Sequence, residues 1–272
     1  MSVIELMKLR RSVRSYTGEP LSKEHSEAIT NYIANLKAPF GTDVRIEFIH
    51  TQIDNGRIKL GTYGYIKGAS DFITLSYTPS PLAEEGAAYL FEQVILFCTG
   101  LGLGTCWLGG SFSRKDFKGQ ISLKPNEKLR IVSPVGYPGN KKHLIEKLMG
   151  AEGNHKSRKP FGTLFFNNTF NTPLSEEAAD IYKTPLEMVR IAPSANNSQP
   201  WRILLDGNSI HFYHRHTTLG GFSATDIGIA LCHFEQSCIE IGIIGRLEVL
   251  PAPTDNNTPK DFKYTISWIS NS

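Results

Sequence analysis

The chain repeats itself once, and a duplicated chain is constrained to fold into two similar halves. Pro20-Leu21-Ser22-Lys23-Glu24 returns as Pro173-Leu174-Ser175-Glu176-Glu177, and Ala38-Pro39 returns as Ala192-Pro193. Phe91-Glu92-Gln93 returns as Phe234-Glu235-Gln236, and the apolar spacing after it is kept, with Val94, Ile95, Cys98 and Gly102 falling on Ser237, Cys238, Ile241 and Gly245. The offsets of 153, 154 and 143 differ as they would if one connection were shorter in the second copy, because loops absorb length changes cheaply. A length of 272 residues is compatible with one large domain or two small ones. The repeat predicts instead two halves, residues 1–159 and 160–272, intertwined as one unit.

Local patterns fill in the halves. Ser2-Val3-Ile4-Glu5 has the form of a capping box and predicts a helix from residue 3 that ends around Arg10 to Arg14. A second helix over 22–37 would bury Ala28, Ile29, Tyr32, Ile33 and Leu36 and stop at Ala38-Pro39, since proline disfavours helix in the residue before it. Residues 45–50 and 70–77 read as strands, followed by a helix over 84–99, a glycine-rich loop and a strand over 129–136. The second copy offers a helix near 175–183, another from Thr184-Pro185-Leu186-Glu187, strands at 202–206 and 210–214, a helix over 226–243 and a last strand at 264–269. Hairpins and one long central helix per half predict an α+β fold with mainly antiparallel sheets.

Composition narrows the partners. Residues 1–159 hold 22 basic and 15 acidic side chains against 7 and 11 in residues 160–272, so the net +3 hides a positive first half. Such an excess suits an anionic ligand, nucleic acid or a merely soluble surface. Nucleic acid is the poorest fit, because no basic tract with interleaved aromatics and no zinc-finger, helix-turn-helix or RNP pattern is present. The longest uncharged stretch, residues 93–113, is broken by five glycines and argues against a membrane span. The N-terminus shows no apolar signal core, and Cys98, Cys106, Cys232 and Cys238 form no Cys-x-x-Cys pair, so a cytoplasmic location is expected.

Two strings carry chemistry. Arg10-Arg11-Ser12-Val13-Arg14 places three guanidinium groups and a hydroxyl where a helix gives way to extended chain, with Arg10 and Arg14 on one helical face. That set suits the oxygens of a phosphate monoester, or equally a solvated helix end whose cations favour the dipole. Ala192-Pro193-Ser194-Ala195-Asn196-Asn197-Ser198-Gln199-Pro200-Trp201 sets donors and acceptors on a tight turn, which can read the edge of a planar polar heterocycle. His211, His214 and His216 alternate along a strand, with 214 and 216 on one face and 211 on the other, and lack nearby Cys or carboxylate, so no metal is expected. Gly100-Leu101-Gly102-Leu103-Gly104 follows a helix rather than a strand, which removes a dinucleotide-fold reading. No Gly-x-Ser-x-Gly, His-Glu-x-x-His or Walker string occurs, and Lys141-Lys142 reads as a solvated loop.

Together the arginine string, Ala-Pro-Ser-x-x-Asn-x-Gln-Pro-Trp, Gly102-Leu103-Gly104-Thr105-Cys106-Trp107-Leu108-Gly109-Gly110 and Lys156-Ser157-Arg158 resemble the signature set of the FMN-dependent nitroreductase superfamily. The resemblance spans most of the chain, but the order departs from the usual subunit. The first copy keeps Ala38-Pro39 and loses the Ser, Asn, Gln and Trp that follow, whereas the second copy lacks Arg-x-Ser-x-Arg before Pro173. In the family the flavin site draws its arginines and glycine loop from one subunit and its Pro-Ser-x-x-Asn loop from the partner. The resemblance therefore implies a nitroreductase-like single-chain pseudo-dimer that acts as a monomer, with one flavin site per chain.

Residue roles follow from the resemblance. Arg10, Ser12 and Arg14, with Lys156 and Arg158, would hold the FMN phosphate, and Arg11 would lie near the ribityl or ring edge. Pro193, Ser194, Ala195 and Asn197 would meet the isoalloxazine, with Gln199 bracing that loop or the ribityl chain. Trp107, Leu108, Gly109 and Gly110 would cover the ring near N5, with a backbone N–H of Gly109 or Gly110 as donor. Many members carry Glu where Gly109 stands. The implied reaction is ping-pong hydride transfer from NADH or NADPH through the flavin to a small nitroaromatic, quinone or similar acceptor, with no side-chain acid or nucleophile. The alternative is a non-catalytic relative that binds FMN or another phosphorylated ligand.

Overall fold

Helix α1 (Val3–Leu9) is closed at its start by reciprocal bonds: Glu5 N–H donates to Ser2 Oγ at 3.2 Å and Ser2 N–H donates to Glu5 Oε2 at 2.8 Å. It ends before the arginine string, so the argument that placed Arg10 and Arg14 on one helical face does not hold. The computed structural model describes residues 1–51, 53–54, 57–58, 60–139, 157–215, 221–253 and 257–271. It divides into a first unit, Leu9–Lys156 with Met1, and a second unit, Ser157–Ser272 with Ser2–Lys8. Helix α1 belongs to the second unit, where Ile4 N–H donates to Glu240 Oε2 at 3.0 Å and Ser237 Oγ lies 3.5 Å from the Met7 sulfur.

The first unit contains α2 (Lys23–Asn35), β1 (Val44–His50), the hairpin β2 (Ile53–Asp54) and β3 (Arg57–Ile58), β4 (Asp71–Tyr77), α3 (Ala83–Gly100), β5 (Gly104–Thr105), α4 (Arg114–Lys118) and β6 (Lys128–Gly136). Ser22 caps α2 by accepting His25 N–H at 3.2 Å. The main sheet runs β1-β4-β6-β5 with every neighbour antiparallel. Strand β4 is buried at all seven positions, including the polar Asp71, Thr74 and Ser76, so the sheet is covered on both faces here. Phe117 locks this core, edge-on to Phe72 at 5.2 Å and to Phe112 at 5.4 Å.

The rim of this sheet carries a pH-sensitive pair. Arg45 donates Nε and Nη2 to Glu127 at 2.8 and 2.6 Å, and Ser76 Oγ and Lys124 N–H add further donors. The Arg45 hydrogen bond holds the Glu127 carboxyl down at about 2. A folded-state pKa below the unfolded value of about 4.3 means stabilisation that is complete above that value and lost as pH falls toward 2. Glu127→Gln is therefore expected to flatten the acid limb of a pH series of urea melts between about pH 5 and 2. An unchanged slope would place the acid sensitivity elsewhere.

The second unit contains β7 (Phe165–Asn167), β8 (Thr169–Pro173), α5 (Lys183–Ile191), β9 (Trp201–Asp206), β10 (Ser209–Arg215), α6 (Ser223–Glu240), β11 (Gly245–Glu248) and β12 (Phe262–Ser270). Its sheet runs β11-β12-β10-β9-β7-β8, antiparallel except for the parallel β7/β9 pair. The architecture is thus α+β, with mainly antiparallel sheets. The helix expected near 175–183 does not form. Ser175 Oγ accepts Ala178 N–H at 3.1 Å and starts a turn, but Asp180 sits at φ +47°, a left-handed conformation that a right-handed helix cannot contain, so α5 begins at Lys183. Strands β7, β8 and β11 have no counterpart in the sequence reading, being short and only partly buried.

Beneath these differences the two units share an order of elements. Strands β9-β10-β12-β11 neighbour one another in the same sequence as β1-β4-β6-β5, and an 18-residue helix follows the second strand of each set. Both helices end alike. Gly102 and Gly242 take φ of +74° and +81°, while Leu103 N–H donates to Cys98 O at 3.0 Å and Ile243 N–H to Cys238 O at 2.9 Å. These ends coincide at an offset of 140, not the 143 of the Phe-Glu-Gln match. At that offset Cys98 falls on Cys238 and Gly102 on Gly242, where the Phe-Glu-Gln match puts Ile241 and Gly245.

Candidate functional site

In the first unit the arginine string and the glycine loop lie side by side. Val13 N–H donates to Thr105 O at 2.8 Å, and Ser12 forms a parallel bridge with Thr105. Glycine is required at 104, because a Cβ there would stand 2.8 Å from the Val13 Cβ. Arg11 is exposed, and Ser12 and Arg14 are half-buried.

Arg10 is different. Its side chain is 4% exposed, with Nε 4.0 Å from Oε1 of Glu92, a carboxylate wholly enclosed in α3. Burial pulls the guanidinium below its ordinary pKa, and the Glu92 charge opposes that fall. Trp107 Nε1 donates to the other oxygen of Glu92 at 2.9 Å. Glu92 thus gathers two of the expected ligands, a role the sequence reading missed. The available signal was a carboxylate in the midst of the apolar run of α3 after its first turn, where a charge is rarely buried unless paired.

The glycine loop itself divides. Leu108 exchanges both backbone hydrogen bonds with Val132, at 2.9 and 3.0 Å, and its side chain is in the core, so it is spent inside the unit rather than offered to a ring. Gly109 O accepts from Arg114 at 3.2 Å, while Gly109 and Gly110 N–H have no acceptor among the described residues. Gly110 is exposed.

In the second unit a dense network fixes residues 193–199. Asn196, Asn197 and Gln199 take left-handed φ of +51°, +54° and +46°. Arg158 donates Nη1 to Asn197 Oδ1 at 2.6 Å and Nη2 to Ile191 O at 2.8 Å. Asn197 Nδ2 in turn donates to Ser157 O and Oγ at 3.2 and 3.1 Å. Gln199 is 1% exposed: its Oε1 accepts Lys159 N–H at 2.7 Å and its Nε2 donates to Asn197 O at 3.1 Å. Ser194 Oγ accepts Gln199 N–H at 3.0 Å. Pro193 is buried, and Ala195 is half-buried with its N–H donating to Asp226 Oδ1 at 2.9 Å. Within the second unit Arg158 therefore engages Asn197 and Ile191, and the Asn197 side chain is bonded to Arg158, Ser157 and Gln199.

A family model described as "Putative TM nitroreductase" matches residues 2–238. The chain belongs to this nitroreductase family. A "putative nitroreductase" from Thermotoga maritima, 20% identical, covers 100% of this nitroreductase-family chain and 95% of its own at a TM-score of 0.61, which establishes the shared fold. A nitroreductase family protein from Clostridium difficile is 22% identical over 59% of this chain and 94% of its own, at a TM-score of 0.45. A nitroreductase with bound FMN from Bacteroides fragilis is 20% identical over 53% and 92%, at 0.42. No curated protein matches the chain.

Other candidates in this nitroreductase-family chain are absorbed by its packing. His211 Nδ1 lies 2.7 Å from Ser267 Oγ and His214 Nδ1 3.1 Å from Thr265 Oγ1, both across the β10/β12 ladder. All four cysteines are free and buried, and burial raises the Cys98 thiol to about 12. Lys156, His216 and Lys141-Lys142 lie outside the described residues. Among the described residues no helix is long and apolar enough to cross a membrane.

Proposed function

We propose that the chain is an FMN-dependent oxidoreductase of nitroreductase type, and that it arose by internal duplication with one flavin site retained. The observation that carries the reading is the donor set of the first unit: Arg11, Ser12 and Arg14 lie on a string bridged at Ser12 to Thr105 of the glycine loop, and further along that loop Gly109 and Gly110 offer N–H groups without an acceptor among the described residues. Guanidinium, hydroxyl and amide groups are all donors to anions, so the set fits a phosphate dianion and an electron-rich ring edge. Arg10, its buried Nε 4.0 Å from Glu92 Oε1, stands behind this set as half of an internal ion pair. The shared strand order and the matching helix ends support the duplication.

Arg11, Ser12 and Arg14 would bind the phosphate, with Arg10 held behind them by Glu92, and the backbone of Pro193, Ser194, Ala195 and Asn197 would orient the isoalloxazine. Bound FMN would supply the redox chemistry, accepting hydride from NADH or NADPH and passing it to a small nitroaromatic, quinone or similar acceptor in a ping-pong cycle. The residues bind and orient, and none is needed to move a proton.

Incubation with FMN followed by gel filtration tests this directly. The protein is expected to stay yellow, and NADH or NADPH to bleach it; a colourless protein overturns the reading, and a yellow one that resists both donors is a carrier. Arg14→Ala is expected to weaken FMN by about 10- to 150-fold, the equivalent of losing one charged hydrogen bond of about 1.5–3 kcal/mol, while leaving riboflavin binding unchanged. Equal losses for FMN and riboflavin would remove Arg14 from the phosphate site.

A further inference from the structure

We infer that Asp226 is the positioning residue of the ring-facing loop, setting the backbone that residues 194–198 offer to the flavin. The inference rests on the flavin reading above and extends it to a residue that contacts no flavin. Asp226 is 3% exposed in the first turn of α6, and its carboxylate faces the loop: Oδ1 accepts Ala195 N–H at 2.9 Å and Oδ2 lies 3.4 Å from Ser198 Oγ.

The loop needs such a tether. Asn tolerates a left-handed φ, as at 196 and 197, but Gln does so rarely, and at Gln199 the conformation persists only where surroundings over-determine it. Arg158, Ser157 and Lys159 secure Asn197, Ser198 and Gln199. At Ala195, where the single turn Ala195–Asn197 begins, the fixed point is Asp226 on a buried 18-residue helix. Anchoring a binding loop to a rigid element in this way is what holds its donors at a defined position.

The first unit provides the contrast. Matching the ends of the two long helices at an offset of 140 puts Gly86 where Asp226 stands. There too the helix turn meets the loop after Ala-Pro, since a Cβ on Gly86 would lie 2.7 Å from Thr42 Oγ1 and 3.3 Å from Pro39 O. That loop also contains two left-handed residues, Phe40 at φ +62° and Gly41 at φ +64°, but the helix position it packs on is a glycine, which has no side chain to tether it. The matched helix position is therefore an aspartate under the loop that retains Ser, Asn and Gln, and a glycine under the loop that has lost them.

Asp226→Asn keeps an oxygen able to accept Ala195 N–H, whereas Asp226→Leu keeps the volume without an acceptor. Amide exchange of a peptide covering residues 193–199 in flavin-free protein should rise at least tenfold in Asp226→Leu and stay near wild type in Asp226→Asn. Titration with FMN and with riboflavin should show both weakened by the same factor, about tenfold, in the leucine variant and largely restored in the asparagine variant. Should Asp226→Leu fail to fold, Asp226→Ala takes its place with the same expectation. Unchanged exchange at 193–199, or an asparagine variant as impaired as the leucine one, overturns the inference. A wild-type protein that binds neither flavin overturns the functional reading instead, and the exchange data still decide whether Asp226 tethers the loop.

Discussion

Arg10→Ala is expected to destabilise the protein by about 3–5 kcal/mol, because it leaves the Glu92 carboxylate enclosed without its cation. This separates Arg10 from Arg14, whose loss should be felt in ligand binding and little in stability. The Arg10/Glu92 pair lies at 4.0 Å with both side chains almost wholly buried, so neither solvent nor salt can take over the role of the missing partner. Arg10→Met combined with Glu92→Gln should recover most of the loss, since a buried pair replaced as a whole by neutral groups costs far less than a pair broken in half. Urea midpoints at constant slope are the measurement. Tryptophan fluorescence gives a second readout, because Glu92→Gln also alters the partner of Trp107 Nε1. An Arg10→Ala protein that melts like wild type would make Arg10 a ligand-facing residue rather than half of an internal pair.

That pair also shows where the sequence stops being legible. The arginine string, the glycine loop and the Asn/Gln string could be recognised because each is local: a few consecutive residues carry the chemistry. Helices α3 and α6 were legible because each is a long, mainly apolar run, and β4 because its β-favouring residues stand between turn signals. Partner choice is not local. Glu92 reaches Arg10 across 82 positions and Asp226 reaches Ala195 across 31, and nothing in the composition of either helix names the partner. The start of helix α1 was legible from its local capping box, but its grouping with residues 157–272 was not, because the burial of Met7 beside Ser237 depends on a residue 230 positions away. The charge asymmetry changes for the same reason. With Ser2–Lys8 and Ser157–Ser272 together, the first unit holds 19 basic and 14 acidic residues and the second 10 and 12, so the contrast of +7 against −4 narrows to +5 against −2.

Arg158→Ala should weaken FMN and riboflavin by the same factor, about tenfold or more, which is the opposite of a phosphate ligand's behaviour. The guanidinium is buried, with one nitrogen on Asn197 Oδ1 and another on Ile191 O, so its removal deletes two charged hydrogen bonds from the floor of the loop. Asn197 would still receive Gln199 Nε2 at 3.1 Å, but the link between residue 197 and the end of α5 would be gone, and a loop with three left-handed residues has little reason to keep its shape without it. Lysine should not rescue the variant, because a single ammonium lacks the planar fork that spans both acceptors. Riboflavin is the decisive ligand, having the same ring and no phosphate. If Arg158→Ala weakens FMN alone, the residue belongs to the phosphate site as the motif suggested; if both flavins suffer equally, it acts through Asn197, as the geometry indicates.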